Sequence, residues 1–390
     1  MENLDTTNQK KSRNVVFWVN LTYFIMLALL IGVQILSKTV LMDSLGALEL
    51  NLVFAVMVQI GVMLIIPITA FSIIKRQRVS ATLKDFKVNK ISFKHICISF
   101  GIGICVFLLN ICISSLFNAI ITAFGYENVP TSGTASGIDS SFLNFLIVVF
   151  YSAFLPAVCE EITHRGMLLN GLKKYGLTKA LVLSSLMFGL MHLNINQFFY
   201  ATIVGLIIGF IAICANSIIP AMIIHFTNNF INTYLDFASV NGWFGGNFYN
   251  WVNSLRLSGD PFIVMIASMV LITGVVLLLM VLIKKLILER RGPEIESKIK
   301  HIVVADIIKR RIGNNDFSSI DEKIIEDNVK QTKEHILELV TNKNSPINLE
   351  TFNDEKVDQK RAPLKDNIFF YASIVMASVM TLFTFIWGVL

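Results

Sequence analysis

The chain has 390 residues, of which 54% are hydrophobic and 15% charged, and its mean hydropathy is +0.65. Soluble domains carry about a quarter charged residues and disordered chains are poor in apolar residues, so both classes are excluded. The net charge of +6 does not indicate nucleic-acid binding, because the basic residues lie beside apolar blocks. Five cysteines, all in apolar stretches, predict buried free thiols and no disulfide framework. The composition therefore predicts a membrane protein with several spans.

Nine apolar blocks are each long enough to cross a hydrocarbon core about 30 Å thick, which needs about 20 helical residues. They lie at residues 14–37, 51–74, 94–123, 142–173, 178–194, 197–215, 217–235, 261–283 and 367–390. The first block is too long for a signal-peptide core and has no small-residue cleavage site, so we interpret it as a retained span. The sequence thus predicts an all-α polytopic bundle of about eight to nine transmembrane helices.

The basic residues in the short loops predict the orientation. Thirteen Lys and Arg residues fall on the side that holds the N-terminus, whereas only Lys38 and Arg256 fall on the other. Lys and Arg are enriched in cytoplasmic loops. We therefore expect an integral protein of the plasma (cytoplasmic) membrane with a cytoplasmic N-terminus. Loop 236–260, which contains several aromatic residues, is expected at the outer interface.

Residues 284–365 differ in character from the spans, because they hold 17 Lys and Arg residues and 15 Asp and Glu residues with both signs interspersed. Stretches such as Ile320–Val340 predict a small helical cytosolic segment without a phosphate-binding loop or metal-ligand spacing. The predicted divisions are 1–91 (N-terminal cytosolic tail and two spans), 92–283 (the core of central spans), 284–365 (cytosolic segment) and 366–390 (C-terminal span).

Ionisable groups inside spans are the informative residues, since each is costly unless it is paired or faces a wet cavity. Three clusters stand out, and they contain Glu160, Glu161 and Arg165, then His192, then His225 and Asn229. The i,i+4 spacing places Glu161 with Arg165, and His225 with Asn229, on common helix faces. Glu160 is rotated about 100° from Glu161 and need not share the arginine. Pro156 predicts a kink just before the carboxylates.

Structural roles are possible for each cluster taken alone. The Glu161–Arg165 pair could lock helices together, His192 could bond a neighbouring helix, and His225 with Asn229 could join helices. His164 breaks the spacing, which favours a structural role, and Gly205-Leu-Ile-Ile-Gly209 predicts a close helix-packing face. However, Glu160 and His192 both lie about 21 Å from the predicted cytoplasmic edge, and the third cluster lies roughly 12–18 Å deep. This agreement in depth favours one common site.

The ordered set Glu-Glu-x-x-x-Arg, Phe-x-x-x-His and His-x-x-x-Asn resembles the three motifs of the CPBP family. The CPBP family comprises the CAAX prenyl protease type II and bacteriocin-processing intramembrane proteases, and it is also called the Abi family. The resemblance covers roughly residues 140–235 and implies membrane-embedded endopeptidase activity. Its motif residues correspond to Glu160, Glu161, Arg165, Phe188, His192, His225 and Asn229. Other intramembrane protease signatures are poorly supported, since neither a His-Glu-x-x-His nor a Gly-x-Ser-Gly motif occurs.

For this chemistry we expect Glu160 to act as general base and His192 to help hold the water. His225 and Asn229 would donate hydrogen bonds to the oxyanion, and Arg165 and Glu161 would fix the helix and the charge state of Glu160. The metal-free scheme is preferred, because Asn229 suits an oxyanion better than zinc. In the alternative scheme, Glu160, His192 and His225 bind Zn²⁺, which activates the water.

The expected partners are the lipid bilayer and a membrane peptide or protein substrate, either lipidated or without a lipid group. Two other functions would also explain the buried polar cluster. A non-enzymatic immunity or partner protein would use it for binding, and an ion-coupled transporter would use it as a proton or ion site.

Overall fold

The structure, a computed structural model, describes residues 2–39, 46–123, 138, 141–258, 266–287, 289–290, 326–327, 330 and 364–389. All nine predicted spans are helical in this part of the chain, and no strand occurs in it, which confirms the all-α class. The helices are α1 (Glu2–Thr39), α2 (Ala47–Lys75), α3 (Val79–Asp85), α4 (Phe93–Ala123), α5 (Phe142–Tyr175), α6 (Leu177–Met191), α7 (Ile195–Cys214), α8 (Ile219–Asn241), α9 (Gly246–Ser258), α10 (Ile266–Ile287) and α11 (Leu364–Val389).

Seven of these helices are long and apolar enough to cross a membrane, namely α1, α2, α4, α5, α7, α10 and α11. The two other predicted spans, α6 and α8, depart from the pattern for different reasons. Helix α6 is apolar but has only 15 residues, and α8 has 23 residues but carries buried polar side chains. Both helices contact several neighbouring helices of the bundle.

Residues 236–260 are mostly helical, whereas the sequence predicted a loop. Helix α8 continues to Asn241 and ends where Gly242 adopts a left-handed conformation, with φ of +66°. Helix α9 then begins at Gly246, and its Phe248 and Trp251 are exposed, as expected for an interfacial helix.

Most of the predicted cytosolic segment 284–365, including nearly all of Ile320–Val340, lies outside the described residues, and the orientation in the membrane stays a prediction. All five cysteines are free, as predicted. Cys97 is exposed, so the prediction that all five thiols are buried was wrong for this residue.

Helix α8 occupies the centre of the bundle, where it contacts α4, α5, α7 and α9. Its approach to α4 requires Gly103, because a Cβ atom there would lie only 2.5 Å from the Cβ of Thr227. Helices α6 and α7 approach each other over the predicted glycine face. A Cβ on Gly205 would lie 3.3 Å from the Cα of Ser185, and one on Gly209 would lie 2.6 Å from a Leu181 methyl. These contacts confirm the small-residue packing face.

Helix α5 is irregular where it carries the candidate carboxylates. A π-helical segment, Phe150–Phe154, precedes Pro156, and a second one, Ile162–Leu168, follows Glu161. Proline cannot donate a backbone hydrogen bond to the preceding turn, which accounts for the first irregularity. π-Helical turns are frequent at functional sites, because they change which face of the helix a side chain occupies.

Candidate active site

The six predicted site residues lie on helices that meet in the interior of the bundle. They are Glu160, Glu161 and Arg165 on α5, His192 directly after α6, and His225 and Asn229 on α8. The three α5 side chains and His225 are almost completely buried, and the other two are partly buried. Since charged groups are rarely buried without partners, the contacts of each side chain indicate its role.

Glu161 is the centre of a buried ionic network, in which its Oε1 has two partners and its Oε2 has no hydrogen-bond partner among the described residues. Its Oε1 accepts a hydrogen bond from Arg165 Nη1 at 3.0 Å and lies 2.9 Å from His225 Nδ1. The second guanidinium nitrogen of Arg165 donates to the carbonyl oxygen of Gly205 at 3.0 Å. The predicted i,i+4 ion pair is thus present, and it extends to α7 and α8. One buried carboxylate therefore joins three helices.

Glu160 has a different environment from its neighbour. Its Oε1 accepts a hydrogen bond from Gln59 Nε2 on α2 at 2.9 Å, and the residue is 7% exposed, whereas Glu161 is 0% exposed. The structure gives Glu160 no ion pair with Arg165, in agreement with the predicted rotation about the helix. Sequence reasoning missed Gln59, although it is a lone amide within the apolar stretch 52–68 and could have been noticed on that ground.

The ring of Phe188 packs against two histidine side chains and Arg165. Its ring lies with centroid distances of 5.3 Å from His192 and 5.8 Å from His225, both nearly perpendicular. The Arg165 guanidinium carbon lies 4.5 Å from the same centroid, in a cation–π arrangement. The phenylalanine of the second motif therefore acts as a packing centre for the site.

The hydrogen bonds of the two site histidines constrain which nitrogen can face a substrate. His192 Nδ1 lies 2.9 Å from the carbonyl oxygen of Phe188, which can only accept, so this nitrogen carries the proton. Neutral His192 therefore presents Nε2 as an acceptor. His225 Nδ1 faces the Glu161 carboxylate in the same way. His225 donates from Nε2 only when both of its nitrogens are protonated.

Asn229 is held by hydrogen bonds on both sides of its amide. Its Nδ2 donates to the carbonyl oxygen of Ser152 at 3.3 Å, and its Oδ1 accepts from Asn228 at 2.9 Å. Pro156 lacks the N–H that would bond the Ser152 carbonyl four residues earlier, so the Asn229 amide satisfies an acceptor that α5 leaves free. Asn110 on α4 donates to Asn228 at 3.3 Å and extends this network.

His164 has the structural position that its spacing predicted. Its Nδ1 lies 2.9 Å from the backbone carbonyl of Glu160, and its Nε2 lies 3.1 Å from the hydroxyl of Tyr23 on α1. The same hydroxyl donates to the carbonyl of Met187 at 3.1 Å. Tyr23 thus ties α1 to both α5 and α6. It was missed in the sequence because a tyrosine in an apolar span gives no distinct signal.

The alternative scheme requires Glu160, His192 and His225 to bind one zinc ion. Among the described residues, no group of three or more His, Cys, Asp or Glu side chains is placed to hold a metal ion. Nδ1 of His225 is bonded to Glu161 and Nδ1 of His192 to the Phe188 carbonyl, which leaves Nε2 of both rings available. The metal requirement stays a prediction.

The positions of these residues agree with a comparison of the chain with protein families. Residues 142–231 match the family model described as type II CAAX prenyl endopeptidase Rce1-like. This segment therefore resembles the Rce1-like CAAX prenyl endopeptidases. The predicted family resemblance is confirmed for this segment, and all six site residues fall within it.

The family match covers a little under a quarter of the chain. Gln59 and Tyr23, which contact the family segment from α2 and α1, lie outside it. Comparisons with curated proteins and with solved structures give no match. The roles of individual residues and the predicted division of the chain are therefore not established by relatives, and the bacteriocin-processing part of the resemblance stays a prediction.

Proposed function

We propose that the chain is an intramembrane endopeptidase in which Glu160 and His192 activate the attacking water. The main support is the different partnering of two adjacent carboxylates. Glu161 is fully buried and its charge is balanced by Arg165, whereas Glu160 keeps some exposure and bonds the neutral Gln59. Its hydrogen bond to Gln59 engages one oxygen and leaves the other available to a water molecule. A general base needs such an oxygen within reach of the water.

In the proposed reaction, Glu160 removes one proton from the water while His192 Nε2 accepts a hydrogen bond from the other. The water oxygen bonds to the peptide carbonyl carbon and gives a tetrahedral intermediate. Glu160 then transfers the proton to the amine nitrogen as the carbon–nitrogen bond breaks. General acid–base catalysis of this kind contributes about 10²–10⁴ in rate.

The oxyanion of the intermediate requires hydrogen-bond donors that are already in position. Asn229 has one amide hydrogen engaged with Ser152 and a second one available. Protonated His225 supplies the other donor from Nε2 while its Nδ1 bonds the Glu161 carboxylate. Loss of a single donor of this type costs roughly 10²–10³ in rate.

The family description supports a substrate of the CAAX type, which carries a lipid near its C-terminus. An apolar anchor of this kind would hold the substrate in the bilayer beside a buried site. We therefore propose a lipidated peptide or protein as substrate and the surrounding bilayer as the second partner.

The test is cleavage of a farnesylated CAAX peptide by the purified chain in phosphatidylcholine liposomes, followed by mass spectrometry of the products. The wild type should cleave the peptide, and Glu160→Gln should lower the rate by about 10²–10⁴. Glu49→Gln removes an exposed carboxylate at the start of α2 and should leave the rate unchanged. Absence of cleavage by the wild type, or equal rates for the wild type and Glu160→Gln, would contradict the proposal.

Dialysis against a strong chelator distinguishes the metal-free scheme from the zinc scheme. The metal-free scheme predicts an unchanged wild-type rate. Loss of activity that returns with added Zn²⁺ would instead reassign Glu160, His192 and His225 as ligands.

A further inference from the structure

The turn between α6 and α7 carries His192, and its backbone is strained. His192 follows the last residue of α6, and the next residue, Leu193, has a left-handed backbone with φ of +50°. This conformation is uncommon for any residue with a side chain, and it is an outlier for a bulky one. Strained backbone persists only where the surrounding structure fixes it, and it clusters at functional sites. The contacts that fix this turn therefore bear on how His192 is placed.

Contacts within α6 and α7 fix part of the turn. The backbone N–H of Leu193 donates to the carbonyl oxygen of Leu190 at 3.0 Å, and Leu193 is buried in the main hydrophobic core. Asn194 then caps α7, because its side-chain oxygen accepts a hydrogen bond from the Asn196 backbone at 2.8 Å. The N–H of Ile195, the first residue of α7, has no acceptor available in its own helix.

The acceptor for Ile195 comes from the C-terminal span. Its backbone N–H donates to Oγ1 of Thr384 on α11 at 3.1 Å. The Thr384 hydroxyl donates its own hydrogen to the carbonyl oxygen of Thr381 at 2.7 Å, so its oxygen serves as the acceptor for Ile195. Helix α11 lies outside the segment that matches the family model. A helix from outside that segment thus holds the turn that carries His192.

The position of Thr384 is fixed by the packing of α11. The most buried residues of this helix recur every three or four positions, namely Asp366, Phe370, Ser373, Ala377 and Thr381. This spacing places them on one face, and Thr384 follows on the same face at the next step. Helix α11 packs against α1, α6 and α7, and the small side chains on this face allow a close approach. The Thr384 hydroxyl is therefore held by a whole packed helix.

We propose that Thr384 positions His192 for catalysis by holding the turn between α6 and α7. The inference rests on the proposed function, in which His192 Nε2 accepts a hydrogen bond from the attacking water. The orientation of that nitrogen depends on the last turn of α6, where Nδ1 of His192 bonds the Phe188 carbonyl at 2.9 Å. A helix end that loses its anchor frays, so the turn and the imidazole would move together. Thr384 is a positioning residue, since it acts on the water only through the turn.

The test compares Thr384→Val with Thr381→Val in the purified full chain, with the same liposomes and the same farnesylated peptide. Valine keeps the branched shape of threonine and removes the hydroxyl. Thr381 is the matched control, because it lies on the same face of α11 and its Oγ1 has no hydrogen-bond partner among the described residues. Thr384→Ser restores the hydroxyl and is the rescue variant. Melting temperatures of all four proteins verify that they are folded.

Thr384→Val should lower kcat roughly tenfold with little change in KM, since a displacement of about 1 Å at a catalytic group can cost up to a hundredfold. Thr384→Ser and Thr381→Val should keep the wild-type kcat. Hydrogen-exchange mass spectrometry gives a second readout that does not depend on activity. The peptide that spans the turn should exchange faster in Thr384→Val than in the other three proteins.

The outcomes separate this inference from the proposed function. A wild-type kcat in Thr384→Val would overturn the inference and leave the proposed function standing, as would an equal loss in Thr381→Val or in Thr384→Ser. A lower kcat without faster exchange at the turn would also overturn it, because the effect would not pass through the turn. An inactive wild type would instead contradict the proposed function and, with it, the role of Thr384.

Discussion

Glu160 and Glu161 are adjacent in α5, and the fold surrounds them with different chemistry. On the closed side, Glu161, Arg165 and His225 form a buried network that joins α5 to α7 and α8. On the open side, Glu160 bonds the neutral Gln59 and keeps some exposure. A buried charge needs a partner, whereas a base must be free to receive a proton. In the proposed mechanism, the closed side therefore holds the helices and positions His225, and the open side provides the general base.

Removal of one partner on the closed side is expected to have the largest effect. Arg165→Met leaves the Glu161 carboxylate buried without its main counter-charge, which should lower the free energy of unfolding by about 3–5 kcal/mol. Glu161→Gln combined with Arg165→Met should be less destabilised than Arg165→Met alone, because no unpaired charge remains. Thermal unfolding in detergent measures both variants.

The exposed pair Lys94–Glu289 provides the control for this experiment, with N–O distance 3.0 Å and 66% exposure of the lysine side chain. Lys94→Met should cost less than about 1 kcal/mol. If Arg165→Met lowered the free energy of unfolding by as little as Lys94→Met, Glu161 would behave like a surface carboxylate. That result would contradict the proposed difference between Glu160 and Glu161.

Asn229 should have the next largest effect, in this case on the rate. Asn229→Ala removes a proposed oxyanion donor and should lower kcat by roughly 10²–10³ without abolishing activity, because His225 remains. Asn228→Ala removes the neighbouring amide that bonds Asn229 and should lower kcat less than tenfold. Steady-state cleavage of the lipidated peptide distinguishes them, and equal losses would assign both asparagines a structural role only.

Gln59 is expected to position the Glu160 carboxylate through its hydrogen bond. Gln59→Leu removes the hydrogen bond to the Glu160 carboxylate, and bonds to charged groups contribute about 1.5–3 kcal/mol. We expect kcat to fall by about tenfold to a hundredfold with little change in KM, since the residue positions the base.

The chain offers a control with the same chemistry. Gln77 donates to the carboxylate of Asp85 at 3.0 Å, outside the candidate active site. Gln77→Leu should therefore leave kcat unchanged. An unchanged kcat in Gln59→Leu as well would mean that Glu160 needs no support from α2.

Tyr23 is expected to show the smallest effect. Tyr23→Phe removes the hydroxyl between His164 and the Met187 carbonyl, and a neutral hydrogen bond contributes about 0.5–1.5 kcal/mol to stability. Helix packing should survive, so the melting temperature should decrease slightly while activity remains. Tyr371→Phe, at an exposed position on α11, should leave both quantities unchanged.

Local geometry explains which features the sequence predicted well. The i,i+4 spacing alone places Glu161 and Arg165 in contact, and the structure has this ion pair at 3.0 Å. Apolar length predicted nine of the eleven described helices, all except α3 and α9, because a span in lipid must satisfy its own backbone hydrogen bonds. The glycine pair Gly205 and Gly209 predicted a close packing face for the same local reason.

Contacts between distant segments could not be predicted in this way. The bond from Gln59 to Glu160 depends on how α2 rotates and packs against α5, and no spacing rule specifies that. The contact of Tyr23 with His164 has the same origin. The helical character of 236–260 was missed because its many glycines and asparagines suggested a loop. However, two glycines end α8 and start α9 instead of preventing helix formation.

In the proposed mechanism, a water held by Glu160, and no protein side chain, attacks the peptide carbonyl. A single turnover with enzyme in excess over peptide, run in oxygen-18 water, tests it directly. Direct attack by water predicts one oxygen-18 atom in the new carboxylate of the product after the first turnover. If Glu160 displaced the amine to form an anhydride, and water then attacked the Glu160 carbonyl carbon, the first product would carry only ordinary oxygen and oxygen-18 would appear in the Glu160 side chain. That second result, read by mass spectrometry of the product and of the peptide that contains Glu160, would contradict the proposed mechanism.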